Sequence, residues 1–119
     1  MDSILTSIKK LLGITAEDTS FDTDVIIQIN TAFTVLKQLG VGPEKGFRIH
    51  DSSEVWSDFL TGDEQLEAVK TYIYLKVKLV FDPPTSASVL EAYQREVKEY
   101  EWRLNIDVDP PHEEENQNG

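Results

Sequence analysis

Two stretches of this chain space their apolar residues alternately three and four positions apart. In residues 24–39 they are Val25, Ile29, Ala32, Leu36 and Leu39; in residues 88–105 they are Leu90, Tyr93, Val97, Tyr100 and Leu104. Such spacing traces one face of an α-helix and no face of a strand. Each stretch has helix-ending chemistry beyond it, so both are predicted helices. The first stretch also carries Ile26, Ile27, Phe33 and Val35. Its apolar stripe therefore covers most of the circumference, as expected of a helix buried on several sides or facing a neighbouring subunit.

The rest of the chain fits around these two helices. Residues 3–12 form a short amphipathic helix with Ile4, Ile8 and Leu11 on one face, Lys9 and Lys10 near its C-terminal end, and Gly13 as its stop. Asp22 is placed to cap the helix over 24–39, which Gly40-Val41-Gly42-Pro43 ends. Phe47 and Ile49 alternate around Arg48, consistent with one short extended segment. Residues 53–60 suit a short helix carrying Trp56 and Phe59. In 64–81, Ile73, Leu75, Val77, Leu79 and Phe81 alternate in the manner of a strand. However, Glu64–Lys70 is rich in helix formers, nothing breaks the chain before Asp82-Pro83-Pro84, and Leu66, Val69, Ile73, Val77 and Val80 fit helical spacing. One long helix is predicted. Thr61 with Glu64, and Ser88 with Glu91, have the spacing of capping boxes.

The predicted fold is an all-α bundle of four to five helices, with a short extended loop segment and a disordered acidic tail. The boundaries are a helical domain over 1–105 and a flexible acidic tail over 106–119. The core candidates are Val25, Ile29, Leu36, Leu66, Val69, Ile73, Leu90, Tyr93, Val97 and Tyr100.

Charge bounds the function. The net charge is −11, from 22 acids and 11 bases. Asp107, Asp109, Glu113, Glu114 and Glu115 supply five of the acids without a compensating Lys or Arg. The body up to Asn105 then holds 17 acids against 11 bases, a net −6. Phosphate backbones and anionic membranes should repel such a body. There is no Cys, which excludes disulfides, thiol catalysis and Cys-based zinc sites. No basic, apolar leader opens the chain and no apolar run reaches the length of a membrane span. A soluble protein made in the cytoplasm is expected.

Catalytic chemistry finds little support. His50 and His112 have no partner at a useful spacing. Asp22-Thr23-Asp24 and Asp107-Val108-Asp109 lack the Gly and distal Glu of a calcium loop. Phosphate-cradling, nucleophile-elbow and zinc-hydrolase motifs are missing. No cofactor or metal is expected. Trp102 stands out instead, because on a helical projection it falls almost opposite the Leu90–Leu104 stripe, among Glu91, Arg95 and Lys98. A large aromatic on a charged face favours protein binding. The interface candidates are Trp102, Arg103, Arg95, Ile26, Phe33, Trp56, Asp107 and Asp109, with Trp56 also a candidate for the core.

Several stretches, in this order, resemble tailed-bacteriophage head–tail connector proteins, also called adaptor or head-completion proteins. They are Phe21-Asp22-Thr23-Asp24-Val25-Ile26-Ile27, Leu39-Gly40-Val41-Gly42-Pro43, the segment from Tyr72 through Phe81-Asp82-Pro83-Pro84, and Glu99-Tyr100-Glu101-Trp102-Arg103-Leu104-Asn105. The resemblance runs from Ile4 to Asn105. It implies a small all-α protein with no catalytic activity or cofactor, forming a homo-oligomeric ring that docks on the portal protein. The ring would present a surface to the next connector, stopper or tail protein, and DNA would pass through it without specific binding. The isolated subunit need not assemble without the portal as template. Assembly in the host cytoplasm and residence at the head–tail interface of the virion follow. In related connectors the C-terminal segment engages the portal; residues 106–119 map onto that segment only loosely. Two other classes are weighed against this one. An acidic DNA-mimic inhibitor of a basic nuclease or repressor fits the charge, but Lys70, Lys76 and Lys78 weaken it. An enzyme would require convergent polar groups in a closed pocket.

Overall fold

The structure is a computed structural model and describes residues 3–60 and 63–108. Five helices follow one another: α1 (Ile4–Leu11), α2 (Asp22–Gln38), α3 (Trp56–Phe59), α4 (Asp63–Phe81) and α5 (Ala87–Val108). Among the described residues there is no strand, only an isolated antiparallel bridge between Ser3 and Val55. The expected all-α architecture is the one observed. Thr61 and the Glu64 side chain of the expected capping box, and the tail over 109–119, lie outside the described residues.

Helix α4 is the centre of the bundle, with α2 packed on one side and α5 on the other. This explains its misleading alternation. Val69, Tyr72, Ile73, Leu75 and Val77 are all buried. At about 100° per residue they spread over more than half the helix circumference. A helix held between two neighbours must be apolar on both flanks, and a wide apolar arc on a 3.6-residue period resembles period two over a short window. The pairing is antiparallel on each side. Phe21, at the start of α2, meets Phe81, at the end of α4, edge to face at 5.3 Å. The Tyr72 hydroxyl of α4 donates to Glu101 Oε2 of α5 at 2.8 Å.

Caps bound the helices, although not always where the sequence places them. Ser3 Oγ accepts from the Thr6 N–H at 3.1 Å and starts α1. At the end of α2, the Gly40 N–H donates to the Lys37 carbonyl and the Val41 N–H to the Leu36 carbonyl at 2.9 Å. Gly40 adopts φ +85°, the left-handed conformation this glycine-terminated motif requires, and Val41 and Leu36 are buried together. Asp22 is the first residue of α2 rather than its cap, and no side chain caps that end. Its carboxylate is instead drawn to Lys9 of α1: Lys9 Nζ lies 2.8 Å from Asp22 Oδ1. Lys9 is itself buried, at 2% exposure, so a desolvated ammonium outcompetes the backbone amides for this carboxylate. Ser86, not Ser88, precedes α5. The Ser86 carbonyl accepts from the Leu90 N–H at 2.9 Å and its hydroxyl faces the Val89 N–H at 3.5 Å. Helix α5 then runs past Asn105 to Val108.

The core spans all five helices, from Ile4, Leu5 and Ile8 to Val97 and Leu104. Val25, Ile29, Leu36, Val69, Ile73 and Val97 are buried in it, Leu66, Tyr93 and Tyr100 pack partly buried against it, and Leu90 is half-buried. At one end an aromatic cluster of Phe33, Phe47 and Phe59, with ring centroids 4.7–5.5 Å apart, ties the loops to α2. Gly42 runs hard against this cluster at φ +91°, and an added Cβ would lie 2.4 Å from Phe59 Cε1.

Two consequences for stability follow. Gly42→Ala should destabilise the protein by about 1–3 kcal/mol, through backbone strain and overpacking together, read as a lower urea midpoint. Lys9→Ala should cost about 1–3 kcal/mol, because it removes a buried alkyl chain and leaves the part-buried Asp22 without its partner, and the double replacement Lys9→Met with Asp22→Leu should recover most of that loss. A Lys9→Ala protein with the wild-type midpoint would show the pair to be inconsequential.

Candidate protein interface

Two surfaces of the fold offer themselves to partners. The first is the outer face of α5. Its inner stripe turns toward α4, and the Tyr72–Glu101 hydrogen bond fixes the rotation of the helix. Burial pushes the Tyr72 phenol far above its ordinary value, and the Glu101 carboxylate beside it raises it further. Tyr72 is thus a neutral donor at any working pH. Trp102, about 100° further round the helix, is turned to solvent and is the most exposed large apolar residue described, at 65%. Arg95, Lys98, Glu99 and Arg103 surround it in the sequence of this face and are all exposed. Arg103 Nη2 lies 3.8 Å from Glu99 and its guanidinium stands over the Tyr100 ring at 5.8 Å. Arg95 and Lys98 have no ion-pair partner among the described residues. An indole flanked by cations on a rigid helix can fill an apolar pocket while the rim pairs with acids.

The second surface is a groove of about 710 Å³ between α2 and the loop at 45–50. Its floor holds Ile26, half-buried, and Ile27, 53% exposed. The expected all-round burial of α2 is therefore narrower than its sequence suggests. The buried face is Val25, Ile29, Ala32, Phe33 and Leu36. On the groove side Thr31 and Thr34 donate their hydroxyls back to the carbonyls of Ile27 and Asn30.

The loop wall of the groove rests on a contact that sequence reasoning missed. Asn30 Nδ2 donates to the Ile49 carbonyl at 3.0 Å, and Asn30 Oδ1 accepts from the Ile49 N–H at 2.8 Å. One side-chain amide thus satisfies both main-chain groups of Ile49, as a neighbouring strand would. This holds the expected extended segment flat with no second strand. Nothing local signals the pairing, because the partners are 19 residues apart. Glu54 closes the loop. Burial raises its carboxyl, but hydrogen bonds from the His50 ring and from the His50 and Asp51 N–H groups outweigh that and hold it below its ordinary value. His50 Nδ1 lies 2.9 Å from Glu54 Oε2.

The remaining interface candidates fall elsewhere. Phe33 and Trp56 are in the core, at 1% and 3% exposure, so neither is offered to a partner by this chain. Phe33 is claimed by the aromatic cluster. Trp56 lies beneath Lys70 and donates its indole N–H to Ser7 Oγ at 3.1 Å. The side chain of Asp107 and all of Asp109 lie outside the described residues. No cluster of three potential metal ligands occurs among the described residues, and no described helix is long and apolar enough to cross a membrane.

Comparison with known proteins adds one match. The family model described as phage connector protein matches residues 4–111. No curated protein matches, and no solved structure does.

The loop chemistry makes a pH prediction. Glu54 is more acidic folded than unfolded, so its stabilisation is complete above the ordinary glutamate value and is lost as pH falls through the lowered folded value. Glu54→Gln should therefore be clearly less stable than wild type at pH 7, and the gap should close in acid. Urea midpoints of the two proteins at pH 7 and near pH 3 provide the check. A gap of constant size would assign the effect to shape and not charge.

Proposed function

This chain belongs to the phage connector protein family, and we propose that it is a head–tail connector of the adaptor type, a ring subunit docking on the portal. The match over residues 4–111 is the observation that carries this reading. The family is a structural and non-enzymatic kind of protein, and the chain is a phage structural protein on that ground. The finer assignments are the proposal: a homo-oligomeric ring, the portal protein on one side, and the next connector, stopper or tail protein on the other. In this reading the subunit is made in the host cytoplasm and resides at the head–tail interface of the virion. Residues 1–105 would be the connector body and 106–119 an appended acidic segment.

Three features support the reading. Exposed Trp102 with Arg95 and Arg103 forms an aromatic and cationic patch of the kind that dominates interface energetics. The helices that frame it pack into one core, so the patch is preorganised and binding it costs little ordering. Net charge of −11 suits a channel that must conduct DNA without holding it, because acidic walls repel phosphates.

The test is a mixture of this protein with the portal of the same phage, followed by light scattering and electron microscopy. A stoichiometric ring on the portal is expected. Trp102→Ala should weaken that association at least tenfold, the scale of an anchoring aromatic, while leaving the urea midpoint unchanged. Failure of the wild-type protein to associate in any ionic condition would end the connector reading. Full association of the Trp102→Ala variant would move the interface off α5.

A further inference from the structure

The groove between α2 and the loop at 45–50 has a charge that contradicts the rest of the molecule. Lys37, Lys45 and Arg48 line it together with His50, and no Asp or Glu does. None of the three permanent cations makes an ion pair among the described residues. At the His50 end of the groove, the Glu54 carboxylate is engaged by His50. In a chain with twice as many acids as bases, three unpaired cations around one concave surface form a local positive field. The wall they stand on is also receptive. The main-chain groups of Phe47 and Arg48 have no hydrogen-bond partner among the described residues, so an extended peptide laid along this edge would find donors and acceptors as well as charge.

The last helix ends near one end of this groove. Asn105 Nδ2, near the end of α5, donates to the Leu39 carbonyl at 3.2 Å. Leu39 follows Lys37 by two residues, so α5 ends beside the Lys37 end of the groove. The segment that continues from there, 109–119, contains Asp109, Glu113, Glu114 and Glu115 and no Lys or Arg. The groove runs along α2 from Lys37 toward Ile26, ~17 Å at the helical rise. Eleven extended residues reach ~36 Å, enough to turn at Pro110-Pro111 and lie along it.

We propose that the acidic segment 109–119 folds back into the cationic groove of its own chain, its carboxylates pairing with Lys37, Lys45 and Arg48. Tethering makes the encounter intramolecular, at an effective concentration in the millimolar range. Individually weak exposed pairs therefore suffice to populate the closed form. The tail masks this positive patch, keeps it from phosphates, and must be displaced by any acidic partner that uses the groove. The proposal does not depend on the connector reading, because it concerns one chain alone.

The experiment uses the full chain at low ionic strength. Zero-length carbodiimide coupling, on an equal mixture of isotopically light and heavy protein, should join Lys37 or Lys45 to Glu113, Glu114 or Glu115 within single chains. The variant Asp109→Asn with Glu113→Gln, Glu114→Gln and Glu115→Gln, which touches no core residue, should shift the amide resonances of residues 45–50. It should reduce the closed population about tenfold, the combined scale of three exposed ion pairs. Half-molar salt should reproduce the variant's spectrum in the wild type, since it shortens the screening length to ~4 Å from ~10 Å at 0.1 M and weakens the attraction that draws the segment in. Unchanged amides in the variant would overturn the proposal. So would links found only between light and heavy chains, which would make a second copy the occupant. A DNA duplex that bound wild type and variant equally would also overturn it, by showing the groove open to phosphates.

Discussion

Helix α4 has to be buried on two sides, and the remaining elements are arranged to achieve this. Tyr72, fully buried, is the clearest instance. Its ring supplies the kind of apolar area that dominates core energetics, but its hydroxyl cannot be left without a partner at that depth. Glu101 supplies the acceptor at 2.8 Å, and in doing so sets the rotation of α5. With the rotation set, Val97 and Leu104 turn into the core and Trp102 turns to solvent. The exposure of the indole follows from where α4 needs its hydrogen bond.

A similar economy of polar contacts fixes the rest. Lys9 and Asp22 join α1 to the start of α2, and both charges would be a liability alone. Asn30 supports the loop at 45–50 through Ile49. Asn105 ties the end of α5 to the end of α2. Each contact is a long-range bond made by a side chain to a group that would otherwise lack a partner: a charge, a loop peptide or a helix-terminal carbonyl. Together they bring Lys37, Lys45 and Arg48 to one groove and hold the end of α5 against the end of α2. The two candidate surfaces, the indole face of α5 and the cationic groove, are consequences of this packing and carry no local motif.

The legible part of the fold was the part governed by period. Apolar spacing predicts α1, α2, α4 and α5, and the structure contains all four. The strand-like alternation at 73–81 was an ambiguity of short windows, and helix-forming residues upstream with no breaker before Asp82 resolved it correctly. The misplacements share one cause. Asp22 has the right type and spacing for a cap, and Phe33 and Trp56 the right type for an interface, but each is claimed by a partner distant in sequence. Lys9 takes the first, the Phe47–Phe59 cluster the second, and Ser7 with Lys70 the third.

By itself, then, the amino-acid sequence determined the helical class, the placement of the helices, the polar setting of Trp102 and the acidity of the chain. These are local or summed properties, set by side-chain periodicity and by counting charges. Tertiary structure alone decided that Asp22 serves Lys9, that Asn30 stands in for a strand, and that a strongly acidic protein carries a cationic groove at the end of its last helix. Charge adds along a chain regardless of fold. Where a field is concentrated depends on which distant side chains the core brings together, and only packing specifies that.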